Sequence, residues 1–244
     1  MSLGALNSLG ALNSLGPSMS LGSQSRMRIS APVRFGSIRA RPPHCEAGQR
    51  IGLLGGSFNP AHEAHKLISE IAIKRLALDR VWWLVTPGNP LKAQADLAPL
   101  AQRMATARDI AGDARIAVTG FEQDLASAYT AATLAFLRAR HPGVQFVWLM
   151  GADCLVELHR WRHWRSIFAL MPIAVINRPG HHMQALSAPA ARSFGAHQVR
   201  ESSAGSIFAR PTPAWTFLNG PLSAQSSTAL RAQRSRTVAP KTRK

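Results

Sequence analysis

From residue 50 onward, short apolar runs alternate with stretches in which apolar positions recur every three to four residues. The run IGLL at 51–54 ends at Gly55 and Gly56 and predicts a strand; after a loop, Leu67, Ile68, Ile71, Ala72 and Leu76 mark one face of a helix. VWWLVT at 81–86, RIAVT at 115–119, FVWLM at 146–150, IAVIN at 173–177 and WTFL at 215–218 predict further strands. Between them, the Ala-rich stretch 97–112, residues 129–140 and two short segments within 152–170 predict helices. Strands alternating with helices build parallel β-α units, and strands that are apolar throughout are buried on both sides. The expected fold class is α/β, one parallel sheet with helices on both faces. Residues 180–213, rich in Ser, Ala, Pro and His, read as loop with one weak helix, and Ser226 and Ser227 can cap a last helix running through Arg231.

Upstream of residue 50 the pattern differs. SLGALN at 2–7 recurs at 8–13 and decays through 14–19 and 20–25, while 26–49 is rich in Arg and Pro. Six residues are too few for a helical solenoid unit, and Gly, Asn and Ser interrupt the repeat too often for the apolar core of a secretory signal. We expect 1–49 to be a low-complexity, mostly disordered extension, with Met19 and Met27 available as alternative starts, 50–235 to be the folded domain and 236–244 a basic tail.

At 46% apolar and 17% charged over 244 residues, wholesale disorder is excluded. The longest apolar stretch, 167–176, is broken by Pro172, whereas a spanning helix needs about 20 apolar residues, so no membrane partner is expected. Cys45 and Cys154 make neither a disulfide scaffold nor a zinc-like pair, which suits a reduced, cytoplasmic protein. The net charge of +17 invites a nucleic-acid reading, but just over half of it lies in 1–49 and 232–244. The remaining excess suits an enzyme handling phosphates as well as it suits a nucleic-acid binder.

The first strand ends in GGSFNPAHEAH at 55–65. Two glycines at a strand end let a ligand approach the backbone, and the following helix, beginning near His62, points its free N–H groups and dipole at whatever sits there. His62 and His65 fall on one face of its first turn. Paired imidazoles beside a Gly-rich strand end suit a polyphosphate. The Gly-Lys-Ser/Thr ending of a Walker loop is absent.

GGSFNPAHEAH resembles the first motif, GG(T/S)FDPxHxGH, of a nucleotidyltransferase superfamily, and SSTALR at 226–231 resembles its second, (S)STxxR. With TPGNPLK at 86–92, AYTAATL at 128–134, MGADCLVELHRWRHW at 150–164 and PIAVINRPG at 172–180 between them, about 50–235 is similar to the bacterial nicotinate-nucleotide adenylyltransferases. The resemblance implies a Rossmann-like nucleotidyltransferase fold and transfer of AMP from ATP to nicotinate mononucleotide, with Mg2+ carried by ATP. In that reading His62, His65 and Arg231 are catalytic. Backbone groups of Gly55, Gly56, Ser57 and Phe58, with Asp153, Arg178, Ser227 and Thr228, hold ATP. Lys92 lies near the reacting phosphates, Trp161 stacks on the pyridine ring, and Thr130 and the Arg162 amide contact the nicotinate carboxylate. No dedicated metal ligands, specific nucleic acid or membrane partner are implied, and the oligomeric state is left open.

Three positions depart from the pattern: Asn59 for the commoner Asp, Ala64 for the Gly between the histidines, and Gln225 where an apolar residue usually precedes SST. None removes a charged or imidazole group that the chemistry needs. The alternatives are a sister adenylyltransferase acting on nicotinamide mononucleotide or phosphopantetheine, the latter disfavoured by AYTAATL and HRWRHW, and, from another class, a basic nucleic-acid-binding protein.

Overall fold

The structure is a computed structural model that describes residues 40–88, 97–125, 129–221, 223 and 225. Seven strands form one parallel sheet: β1 (Arg50–Gly56), β2 (Arg80–Val85), β3 (Ile116–Thr119), β4 (Gln145–Gly151), β5 (Ile173–Ile176), β6 (Gln198–Val199) and β7 (Trp215–Leu218), in the order β3-β2-β1-β4-β5-β7-β6. β1 is the third strand in this order, between β2 and β4; Leu53 lies opposite Trp82 of β2 and Trp148 of β4. The helices are α1 (Glu63–Leu76), α2 (Leu100–Ala111), α3 (Thr130–Arg140), α4 (Ala152–Glu157), α5 (Trp164–Leu170), α6 (His182–Leu186) and α7 (Pro189–Ser193).

Alternate residues of each strand enter two separate cores, as the pleat requires. Leu53, Trp82, Trp148 and Val175 pack with α3, α4 and α5 on one face. Leu54, Trp83, Leu149 and Ala174 pack with α1 and α2 on the other. The adjacent Trp82 and Trp83 are both fully buried, on opposite faces. The expected α/β sheet with helices on both faces is the observed one.

Two expectations are corrected. Residues 180–213 are not loop with one weak helix: they hold α6, α7, the short strand β6, which pairs with β7, and a 3-10 segment at Glu201–Ala209. The packed part also begins ahead of residue 50. Ala40 is buried in the core, Cys45 Sγ lies 3.4 Å from His141 Nδ1, and the Gly48 amide donates to the Gly143 carbonyl at 2.8 Å. The expected last helix through Arg231 falls outside the described residues.

Candidate active site

The strand order reverses direction at β1. The chain goes outward through β2 and β3, then returns to place β4 on β1's other side. Loops leaving the carboxyl ends of β1 and β4 therefore diverge around a crevice, the usual ligand position in such sheets. His62 and His65 follow β1, Asp153 follows β4, and Arg178 follows β5. The sequence-predicted residues on these strands thus share one rim.

His62 is the N-cap residue of α1, in extended conformation (φ −155°, ψ 166°). Its backbone N–H donates to His65 Nδ1 at 3.3 Å, and its carbonyl accepts from the His65 amide at 2.9 Å. The first of these bonds makes Nδ1 of His65 an acceptor and leaves the neutral ring's proton on Nε2. The two ring centroids lie 3.9 Å apart. His65 is braced from behind: its carbonyl accepts the Ser69 hydroxyl at 2.9 Å, Ser69 Oγ accepts the Trp83 indole N–H at 2.8 Å, and its ring lies 4.5 Å from that of Phe58. Phe58, fully buried and stacked on Trp83, has φ 46°, in the left-handed region where a bulky residue is uncommon.

Burial, then the Arg178 charge, lowers His62 to about 4 against a weaker opposing effect of Asp153. Burial, then His62 and Arg178, hold His65 at about 3. Both imidazoles are neutral at pH 7. His62 Nδ1 is buried with no hydrogen-bond partner, as is Arg178 Nε, which lies 3.9 Å from Asp153 Oδ1. Buried polar atoms are normally paired. These two lie beside the carboxyl ends of β1 and β5, where an anionic ligand would supply acceptors for them.

Arg178 Nη2 donates to the Gln225 carbonyl at 2.7 Å, and Gln225 Oε1 accepts the Glu63 amide at 3.2 Å. Gln225 thus brings the chain, one residue short of SSTALR, onto the α1 N-terminus. Ser227, Thr228 and Arg231 themselves, like Lys92, lie outside the described residues. On the nicotinate side, the Arg162 guanidinium stacks 4.7 Å from the Tyr129 ring centroid, which brings the 161–162 turn to the start of α3, where Thr130 sits. Trp161 is half-buried at the edge of the core.

One local reading is revised. A Cβ on Gly55 would collide with the Trp148 ring, so this glycine makes room for the core, whereas one on Gly56 would only touch the Phe58 ring, at 3.4 Å. At Gly55 the glycine is therefore required by core packing rather than by the approach of a ligand. Asp153 lies in the first turn of α4, whose N-cap is Gly151. Gly151 lets the Asp153 carboxylate and the Arg178 stem approach the end of β4.

Sequence reasoning missed Arg103, Gln225 as a contact residue, and Ser69. Arg103, on α2, is 2% exposed and donates to four main-chain carbonyls: Ala98 at 2.7 Å, Ser57 at 2.6 Å, Thr86 at 2.8 Å and Pro87 at 3.3 Å. The available signal was an arginine on the stripe Arg103, Ala107, Ala111, which the helix buries.

Residues 53–233 match the cytidylyltransferase-like family. A probable nicotinate-nucleotide adenylyltransferase of Methylorubrum extorquens (strain PA1) is 59% identical over 184 residues, covering 75% of this chain and 100% of its own length. The chain belongs to the nicotinate-nucleotide adenylyltransferase family. Another member, from Rhizobium meliloti (strain 1021), is 54% identical over 185 residues, covering 76% of this chain and 98% of its own. The nicotinic acid mononucleotide adenylyltransferase of Plasmodium falciparum, solved with NaAD, aligns at a TM-score of 0.57 over 75% of this chain and 83% of its own. At 17% identity that likeness speaks for the adenylyltransferase fold alone.

Proposed function

We propose that this chain transfers AMP from ATP to nicotinate mononucleotide, giving nicotinate adenine dinucleotide and pyrophosphate in NAD biosynthesis. The observation that carries the reading is the meeting of the α1 N-terminus, Arg178 and Gln225 around two unpaired buried nitrogens. A phosphate of ATP would satisfy both. Family relatives over the full domain carry this activity in their names.

The mononucleotide phosphate attacks the α-phosphorus in line; one P–O bond forms as the bond to pyrophosphate breaks, and no protein nucleophile is needed. The chain's task is to hold two anions in line and to stabilise the charge that moves onto the leaving group. His62 and His65 donate to the triphosphate, with main-chain N–H groups of Gly56, Ser57 and Phe58 beside them. Arg178 adds a fixed cation and Asp153 faces the adenosine ribose. Ser227, Thr228, Arg231 and Lys92 complete this assignment on the family resemblance. Trp161, Thr130 and the Arg162 amide take the nicotinate ring and carboxylate, where donors favour an acid over an amide.

Mg2+, when bound, neutralises triphosphate charge and polarises the transferred group. The ion would be carried on ATP's own oxygens; among the described residues no three His, Cys, Asp or Glu side chains converge to hold one. The test is pyrophosphate release from ATP with nicotinate or nicotinamide mononucleotide as acceptor. Faster release with the nicotinate compound is expected. Equal or faster release with the nicotinamide compound would transfer the assignment to it, and no release with either would end the reading.

A further inference from the structure

Arg103 is a cation buried on α2, and its guanidinium meets main-chain oxygens of three separate segments: Ser57 after β1, Thr86 and Pro87 after β2, and Ala98 before α2. All four of these acceptors are neutral carbonyls. A guanidinium presents its donors in one rigid plane, so carbonyls bonded to it are fixed relative to one another. The Asn59 side chain adds a second tie by accepting the Ala98 amide at 3.4 Å.

We propose that Arg103 is a positioning residue for the transfer: from behind the site it locks the turn after β1 to the turn after β2, and so sets the spacing of the two reactants. This rests on the reading that residues 55–58 face the ATP phosphates and that the motif TPGNPLK, of which Thr86, Pro87 and Gly88 are described, serves the second reactant. In a trans peptide the C=O and N–H point opposite ways. Drawing the Ser57 carbonyl back to Arg103 therefore turns the Phe58 N–H away from α2, and the Pro87 carbonyl does the same for the Gly88 N–H. A cation on a carbonyl also polarises its peptide and strengthens the N–H at the far end as a donor. The left-handed Phe58 backbone, at φ 46°, is held between this bond on the preceding carbonyl and the ring's packing on Trp83 and His65.

The test compares Arg103→Ala and Arg103→Lys with the parent in thermal stability, kcat and KM for both substrates. The Ala variant is then assayed with added guanidinium chloride against the same concentration of sodium chloride. Each reactant keeps its own loop, so KM values should stay within about threefold while kcat falls about 10- to 100-fold, the usual result of slight misalignment. Lysine, a point charge, should not restore the rate, whereas guanidinium ion entering the vacated space should. A kcat within about twofold of the parent's for folded protein, or a loss that guanidinium does not relieve, overturns the proposal. If Arg103→Ala does not fold, Arg103→Lys decides by its kcat. If the parent itself makes no dinucleotide, the functional reading fails separately. Hydrogen exchange then decides on Arg103: faster exchange at 56–61 and 84–88, with β4 and β5 unchanged, supports the lock, and unchanged exchange in those turns refutes it.

Discussion

At the α1 N-terminus, the paired rings of His62 and His65 are held at about 4 and about 3 by burial and by the proximity of Arg178, with His62 adding to the shift of His65. A triphosphate placed against them favours the imidazolium and raises both values. Between the free and bound values, ATP binding must therefore take up protons. Titration calorimetry in buffers of differing ionisation heat should show an uptake that is larger at pH 6 than at pH 8; a buffer-independent heat at both would mean that the imidazoles do not face the phosphates. Glu122 shows the opposite shift. Burial drives its carboxyl from 4.5 up to about 7, against an opposing hydrogen bond from the Thr133 hydroxyl at 2.7 Å. The folded state keeps a proton that the unfolded chain has released, so this group's contribution to stability is lost as pH rises through that window. Glu122→Gln has no proton to lose. Its melting temperature should gain on the parent's between pH 4.5 and 7, and parallel curves would contradict the shift.

For α1 the decisive partner comes from the far end of the chain. Gln225 Oε1 caps the Glu63 amide while the Gln225 carbonyl holds Arg178. Gln225→Leu restores the apolar residue usual at this position and keeps the main-chain bond, but leaves the amide uncapped. It should cost about 0.5–1 kcal/mol, the low end for a helix cap at an exposed site, and raise KM for ATP; unchanged melting and KM would mean that the cap is idle. The strands were legible because they are apolar throughout: β2 and β4 bury every residue beyond their first. The elements between β5 and β7 were not. α6 and α7 have five residues each and β6 has two, too short for either period to emerge from a Pro- and Ser-rich background. His62, His65, Asp153 and Arg178 were found through motif context. Arg103 and Glu122 were not, because what makes them matter is burial against distant main chain or a distant hydroxyl, which spacing does not encode.

On the scale of the whole domain, the candidate site draws on both ends of the folded chain, since a sheet whose first strand lies inside it, between β2 and β4, brings the loop after β1 beside the later strands. The described residues also extend the domain upstream. Ala40, Cys45 and Gly48 touch the core, the end of α3 and the turn before β4. We expect a chain beginning at Arg50 to be less stable than one beginning at Ala40, by about 1–3 kcal/mol, because it lacks that hydrogen bond and that apolar packing. Turnover below melting should be equal, because the upstream segment packs at the amino ends of the strands, away from the crevice. Equal denaturant midpoints would return the boundary to residue 50.

The seating of Trp83 has an optical consequence. Its indole is wholly enclosed, stacked 5.1 Å from the Phe58 ring and 5.9 Å from that of His65. An imidazolium that close draws electron density from an excited indole, whereas a neutral imidazole does so weakly. Acid, or a nucleotide that charges His65, should therefore dim this tryptophan's emission, making Trp83 a native fluorophore for occupancy and Trp83→Phe its blank.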